Sequence, residues 1–288
     1  MAPHDYFRDK IAQPGSLLYY SLLYTPQAGR DALIALHTLR HELLDVLDKC
    51  SDASVARMKL NWWREELHRL FQNQARHPLT QALLPLTQRY TLPLEHFLEI
   101  VDGVQMGLDV TRYSSCNELL LYCHRVSSMV TLMSVEILGY TERATLKFAH
   151  ELGVALQLTR FILNLRHDSR RGRIFIPLDE MNRFGVNVND LKEAAPGGKL
   201  KELLRLQAQR VREYHAKALA QLPAVDRYRQ LPLLTEAWLH LALLDKLEDR
   251  DYWLPEQPLT LAPLRQLWIA WRTLRREKGM RKSATQGA

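Results

Sequence analysis

Cysteine is scarce. Cys50, Cys116 and Cys123 are the only three in 288 residues, an odd number with no paired-thiol spacing, which excludes a disulfide framework and a cysteine-built zinc site. Turn-formers are few as well, 12 Gly and 13 Pro, too little punctuation for an all-β chain. No segment approaches about 18 apolar residues without a charge, so no membrane-spanning helix is expected. The first ten residues, MAPHDYFRDK, lack the apolar stretch of a secretory signal. These absences predict a reducing, cytoplasmic setting. Acidic residues are outnumbered, 32 against 39 Lys and Arg, but the excess is local. Of the net +7, residues 272–288 carry +5, with Glu277 their only acid, so +2 remains for everything before them. A nearly neutral body with a basic end argues against a nucleic-acid partner and suits an anionic surface or solubility.

What is present is helical periodicity. With 47 % of residues hydrophobic and 25 % charged, the chain can fill a sizeable core. Leu33, Ile34, Leu36, Leu39, Leu43, Leu44 and Leu47 recur on one helical face. Thr25-Pro26 marks the start of that helix, and Pro78, Pro85 and Pro93 punctuate shorter ones. Further helices are expected over about 54–72, 94–108, 117–138, 146–164, 200–222, 231–248 and 261–276. Residues 168–185, with RRGRIFIP inside them, break the pattern and read as a loop. The segments over 117–138 and 146–164 are apolar on most sides and therefore buried. The expected fold class is all-α, one domain over residues 1–276 followed by a basic, disordered tail, 277–288. In the last helix Leu261, Leu264, Leu267, Trp268, Trp271 and Leu274 share a face, with Arg265, Arg272, Arg275 and Arg276 toward the polar side. Such a helix either packs its stripe on the bundle or lies in a membrane interface, where Trp and cations meet anionic lipid.

Two segments place polar groups on apolar backgrounds: His41-Glu42 with Asp45 and Asp48, and Asn164 with His167-Asp168, followed by Arg170, Arg171 and Arg173. Residues three or four apart share a helix face. Facing carboxylates on two helices are a way to hold Mg²⁺ and, through it, a diphosphate. A mixed set of His41, Glu42, Asp45, His167 and Asp168 would instead suit Zn²⁺, Mn²⁺ or iron.

Many segments resemble the squalene/phytoene synthase family, especially bacterial synthases of presqualene diphosphate and phytoene type. They include Gly15-Ser16 with Tyr19-Tyr20, Cys50-Ser51-Asp52, the run KLNWWREE from Lys59 to Glu66, His77-Pro78-Leu79-Thr80, Tyr122-Cys123-His124-Arg125-Val126, Gln157-Leu158-Thr159, Arg170 to Ile174, and Leu267 to Arg272. The resemblance implies an isoprenoid-synthase helical bundle whose central cavity takes two prenyl diphosphates, farnesyl or geranylgeranyl. Two aspartate-rich motifs then hold Mg²⁺, which helps diphosphate leave before a 1′-1 condensation. Carried onto this chain, the catalytic positions are Asp45, Asp48, Asn164 and Asp168, with Asp48 and Asp168 as metal ligands. The substrate-binding positions are Tyr20, His41, Tyr122, Arg160, Arg170, Arg171, Arg173 and His240.

The same comparison exposes departures. Leu44 and Asn164 stand where the motifs begin with aspartate, and His167 replaces an acid. Arg160 stands in place of an asparagine, His41 in place of an arginine and His240 in place of a cavity tyrosine. The mouth is thereby about three or four charges more positive than the family pattern, and at about 4 Å each charge in a half-desolvated site is worth several kcal/mol. Weakened Mg²⁺ binding is expected, with a diphosphate held directly by Arg160, Arg166, Arg170, Arg171 and Arg173. Two expectations follow: a Mg²⁺-dependent synthase, weak if active, or a non-catalytic relative that binds a prenyl lipid or a protein. The mitochondrial complex I assembly factor of this fold is a precedent for the second.

Overall fold

The computed structural model describes residues 3–50, 52–255 and 259–286. In chain order the helices are α1 (Pro3–Ile11), α2 (Leu17–Ser21), α3 (Gln27–Lys49), α4 (Ala53–Phe71), α5 (Pro78–Arg89), α6 (Leu94–Asp109) and α7 (Cys116–Cys123). They continue as α8 (Met129–Leu138), α9 (Ala144–Leu163), α10 (Leu165–Arg170), α11 (Leu178–Phe184), α12 (Gly198–Gln221), α13 (Leu231–Glu248) and α14 (Pro263–Gln286). No strand forms among the described residues; a lone parallel bridge joins Arg112 to Ile174.

Local chemistry sets the boundaries. Asp52 caps α4, its carboxylate accepting from the Ser54 amide at 2.7 Å. Pro78 opens α5, where the His77 ring nitrogen accepts from the Leu79 amide. Pro85, expected to separate short helices, lies inside α5. The apolar stripe of α3 is buried along its whole length, Leu36, Leu39 and Leu43 completely.

The expected long helix over 117–138 is interrupted by a π-helical turn, His124–Ser128, between α7 and α8. Its cause is a close crossing with α9. A Cβ added at Gly153 would lie 2.4 Å from the Ser128 Cα, so the backbones touch through a glycine. The crossing is stitched by Thr131 Oγ1 donating to the Ala149 carbonyl at 2.7 Å and Ser128 Oγ to that of His150 at 2.8 Å. Helices α3, α8, α9 and α13 enclose a central chamber.

Two expectations are corrected here. The 168–185 region is not all loop: it contains the end of α10 and all of α11. Between them the extended Ile174 amide donates to the Thr111 carbonyl at 2.9 Å. In the last helix, the face that packs on the bundle is Gln266, Ile269, Ala270, Thr273 and Glu277. Of the six-residue stripe, Leu264, Leu267, Trp268 and Trp271 face outward, the second of the two placements the sequence allowed, whereas Leu261 is buried and Leu274 half-buried. The helix also runs through the expected boundary at residue 276. Glu277 is buried and accepts twice from Arg227, at 2.9 and 3.0 Å.

Candidate functional site

The C-terminal end of α3 and the junction of α9 with α10 meet at a narrow recess of about 40 Å³, lined by Leu44, Leu47, Asp48, Tyr122, Gln157, Arg160, Phe161, Asp168, Arg173 and Phe175. Asp48 does not face it as a free carboxylate. Its Oδ1 accepts from Arg173 at 2.9 Å and lies 3.3 Å from an Arg171 nitrogen. Arg173 also donates to the Leu47 carbonyl, which fixes its fork against the end of α3. Across the recess, burial raises the Asp168 carboxyl above its ordinary range. The His167 hydrogen bond at 3.2 Å and the charge of Arg160 oppose that rise without cancelling it. Tyr122 forms the floor, its hydroxyl pushed up to about 12 by burial. Its ring lies in an aromatic stack whose tightest pair, Phe161 and Phe175, has centroids 4.1 Å apart.

Arg160 and Gln157 also line the central chamber, so both side chains border the two spaces. The chamber measures about 270 Å³ and is lined by Leu17, Val130, Leu156, Leu163, Leu243 and Leu259, but also by His37, Arg40, Arg160, Asn164, Glu236 and His240. Arg40 donates to the Val126 carbonyl, in the π turn, and to Gln157 Oε1, both at 2.7 Å. Burial first, then Arg160, lowers its guanidinium to about 10. Burial raises the Glu236 carboxyl to about 7 in spite of Arg40. It also drives His37 and His240 down to about 3, so both rings are neutral near pH 7. His240 Nδ1 has no hydrogen-bond partner. Ionisable groups sit where a hydrocarbon tail would need apolar walls.

The squalene/phytoene synthase profile matches residues 11–267, most of the chain. The chain belongs to the squalene/phytoene synthase family. It is 29 % identical over 262 residues to a phytoene synthase of Arthrospira platensis, covering 86 % of this chain and 85 % of that one. With a phytoene synthase of Mycobacterium tuberculosis the identity is 31 % over 212 residues, 73 % of this chain and 70 % of the relative. Among solved structures, a dehydrosqualene synthase in complex with ligand superposes with a TM-score of 0.86 at 19 % identity, covering 96 % and 97 % of the two chains. The squalene synthase HpnC from Alicyclobacillus acidocaldarius gives 0.75 at 19 %, covering 88 % and 95 %. The fold is therefore the all-α isoprenoid-synthase bundle.

Against the squalene/phytoene synthase pattern, the structure separates residues that the sequence put together. Asp45 points away from the recess, toward a surface hollow lined by Lys10, Glu42, Lys49, Lys59, Trp62 and Trp63. It pairs there with Lys49 at 2.5 Å and His41 at 3.6 Å. On the α3 wheel Asp45 stands about 100° from Leu44 and about 60° from Asp48, on the side turned to the hollow, where Lys49 and His41 hold it. His41 goes with Asp45 and leaves the substrate space. Asn164 lines the chamber, not the recess. Tyr20 is buried beside Tyr19, and Leu17 of the same helix reaches the chamber in its place. Arg170 is exposed outside the recess, and Arg166 clamps the carbonyls of Lys192 and Leu254. Among the described residues no three His, Cys, Asp or Glu side chains gather as a metal-holding group. The mixed imidazole and carboxylate set is split between two places. Mg²⁺ fits poorly too: it demands near-octahedral oxygen, and of the two carboxylates in the recess Asp48 is paired with two guanidiniums and Asp168 with His167.

Arg40, His37, Gln157 and Glu236 were not anticipated. A signal existed for two of them. Arg40 interrupts the buried row Leu36, Leu44 at a spacing of four, and Glu236 with His240 are four apart on an otherwise apolar stretch of α13.

Proposed function

We propose that this chain binds a prenyl diphosphate, farnesyl or geranylgeranyl, with the diphosphate against Arg160, Arg171 and Arg173, and that condensation of two such molecules is weak or absent. The carrying observation is the double ion pair on Asp48. A carboxylate neutralised by two guanidiniums is a poor metal ligand, whereas each guanidinium keeps further N–H donors for phosphate oxygens. The substrate class comes from the relatives, named as phytoene, dehydrosqualene and squalene synthases. The chamber's lining supports the limit on catalysis: the guanidiniums of Arg40 and Arg160 stand on its wall and disfavour an allylic cation. This favours the non-catalytic, prenyl-lipid-binding branch.

The test pairs turnover with binding. Incubation with labelled farnesyl or geranylgeranyl diphosphate and Mg²⁺ should give no condensed hydrocarbon. A non-hydrolysable thiodiphosphate analogue should bind equally with Mg²⁺ or with chelator, and Arg173→Met should weaken that binding roughly tenfold or more. Condensed product from the parent protein, or affinity that needs the metal, overturns the proposal.

The last helix extends this reading. Among the described residues no helix is long and apolar enough to cross a membrane, but the outward tryptophans of α14 support a peripheral contact with one.

A further inference from the structure

Helix α14 is held in one orientation by polar anchors near both ends of its packed face. Gln266 donates to the carbonyls of Gly15, at 3.1 Å, and Leu261, at 2.9 Å, and Glu277 holds Arg227. The opposite face is therefore committed to the outside. There Leu264 is 80 % exposed, Trp268 51 %, Trp271 44 % and Leu267 40 %. The only acid between residues 259 and 286 is Glu277, which is buried, so the outward side is cationic throughout. Guanidiniums lie over the exposed indoles, Arg272 at 5.0 Å from the Trp268 ring centroid and Arg275 at 5.1 Å from that of Trp271.

Beside this face runs a groove of about 350 Å³ between α13 and α14. Trp238 and Trp268 stand in its walls, and Arg265, Arg272 and Arg276 line it. Its one acidic lining residue, Asp245, is taken by Arg212 at 2.7 Å. Arg265, Arg272 and Arg276 have no acidic partner within ion-pair distance among the described residues. Three unneutralised guanidiniums between indole walls match a phosphodiester on an apolar stem, because guanidinium forks bind phosphate oxygens and tryptophan prefers headgroup depth.

We propose that the α13–α14 groove is a headgroup site for anionic phospholipid, seated as Leu264, Leu267, Trp268 and Trp271 enter the bilayer interface. This rests on the reading of α14 as a membrane contact and adds the lipid class and the residues that select it. Charge decides for lipid over a protein helix: apolar side chains alone would suit either, but the open arginines need a dense anionic surface. Leu259, just ahead of α14, lines the central chamber, so a docked protein brings the chamber's wall close to the lipid.

The experiment is vesicle flotation of the full chain with phosphatidylcholine alone and with phosphatidylcholine mixed with phosphatidylglycerol. The parent should bind the mixed vesicles roughly 100-fold more tightly, as three cations near an anionic surface require, with a blue shift of tryptophan emission. Arg265→Gln/Arg272→Gln/Arg276→Gln should cut the preference at least tenfold with circular dichroism unchanged, and the triple Lys variant, which keeps the charge without the forks, should fall between it and the parent. Trp268→Ala/Trp271→Ala should lose binding to both vesicle types. Equal binding to both by the parent, lost only in the tryptophan variant, overturns the headgroup site while leaving the membrane contact standing. No vesicle binding at all overturns both. Competition by inorganic phosphate as effective as by anionic vesicles, or dimerisation through this face without lipid binding, also overturns the headgroup site.

Discussion

At the residue scale, the buried ionisable groups of the chamber make stability depend on pH in two opposed ways. His37 and His240 sit at about 3 in the folded chain against 6.5 when free. Between those values the unfolded chain binds the extra protons, so their contribution is present above pH 6.5 and lost as pH falls toward 3. Glu236 works in reverse. Its folded value of about 7 against 4.5 means the folded chain keeps the proton, and stability falls as pH rises from 4.5 through 7. Each fully open group changes stability by about 1.4 kcal/mol per pH unit, and two histidines outweigh one glutamate between pH 4.5 and 6.5. The urea midpoint should therefore fall from pH 7 to pH 5. His240→Phe should flatten that fall, and it removes no hydrogen bond at Nδ1. Glu236→Gln should gain on the parent most at pH 8. An acid limb as steep in His240→Phe as in the parent would refute the assignment.

At the element scale, the crossing of α9 with the π turn positions the site. The turn places the Val126 carbonyl where Arg40 needs it, and Arg40 in turn holds Gln157, which lines both spaces. Gly153 lets the backbones approach, and the nearest atoms to an added Cβ belong to the Ser128 backbone and to Thr131 Oγ1. Since backbone cannot rotate aside, Gly153→Ala should cost about 1–3 kcal/mol in chemical denaturation and weaken analogue binding in parallel. Gly153→Ala with parental stability would show that the helices separate freely. The glycine itself was visible in the sequence as a rare break in an apolar helix, but an isolated glycine does not announce a π turn in its partner. That turn is set by the fit of two helices far apart in sequence. Likewise the outward face of α14 was legible as a stripe but not as an orientation. Gln266 and Glu277, polar on paper, became the buried side because Gly15, Leu261 and Arg227 stood ready to pair with them.

At the scale of the whole molecule, the family fold encloses a space lined by Arg40, Arg160, Glu236, His37 and His240. On the reading proposed above, adding aspartates at the ends of α3 and α9 should therefore not bring on synthesis. Leu44→Asp/Asn164→Asp is expected to yield no condensed hydrocarbon by mass spectrometry, because Arg40 and Arg160 remain in the chamber and Arg171 with Arg173 still hold Asp48. Product from that double variant would overturn the reading that the arginines hold the diphosphate in place of a metal.

The sequence by itself determined the all-α class, the buried stripe of α3 and the family. These follow from periodicity and residue identity, which are local. Only the tertiary structure decided that Asp45 turns from Asp48, that Arg171 and Arg173 close on Asp48, that Arg40 and Glu236 share a chamber, and that α14 shows its tryptophans outward. Each depends on which partner lies across a gap between helices, and a side chain's charge or apolarity fixes what it seeks without fixing what it meets.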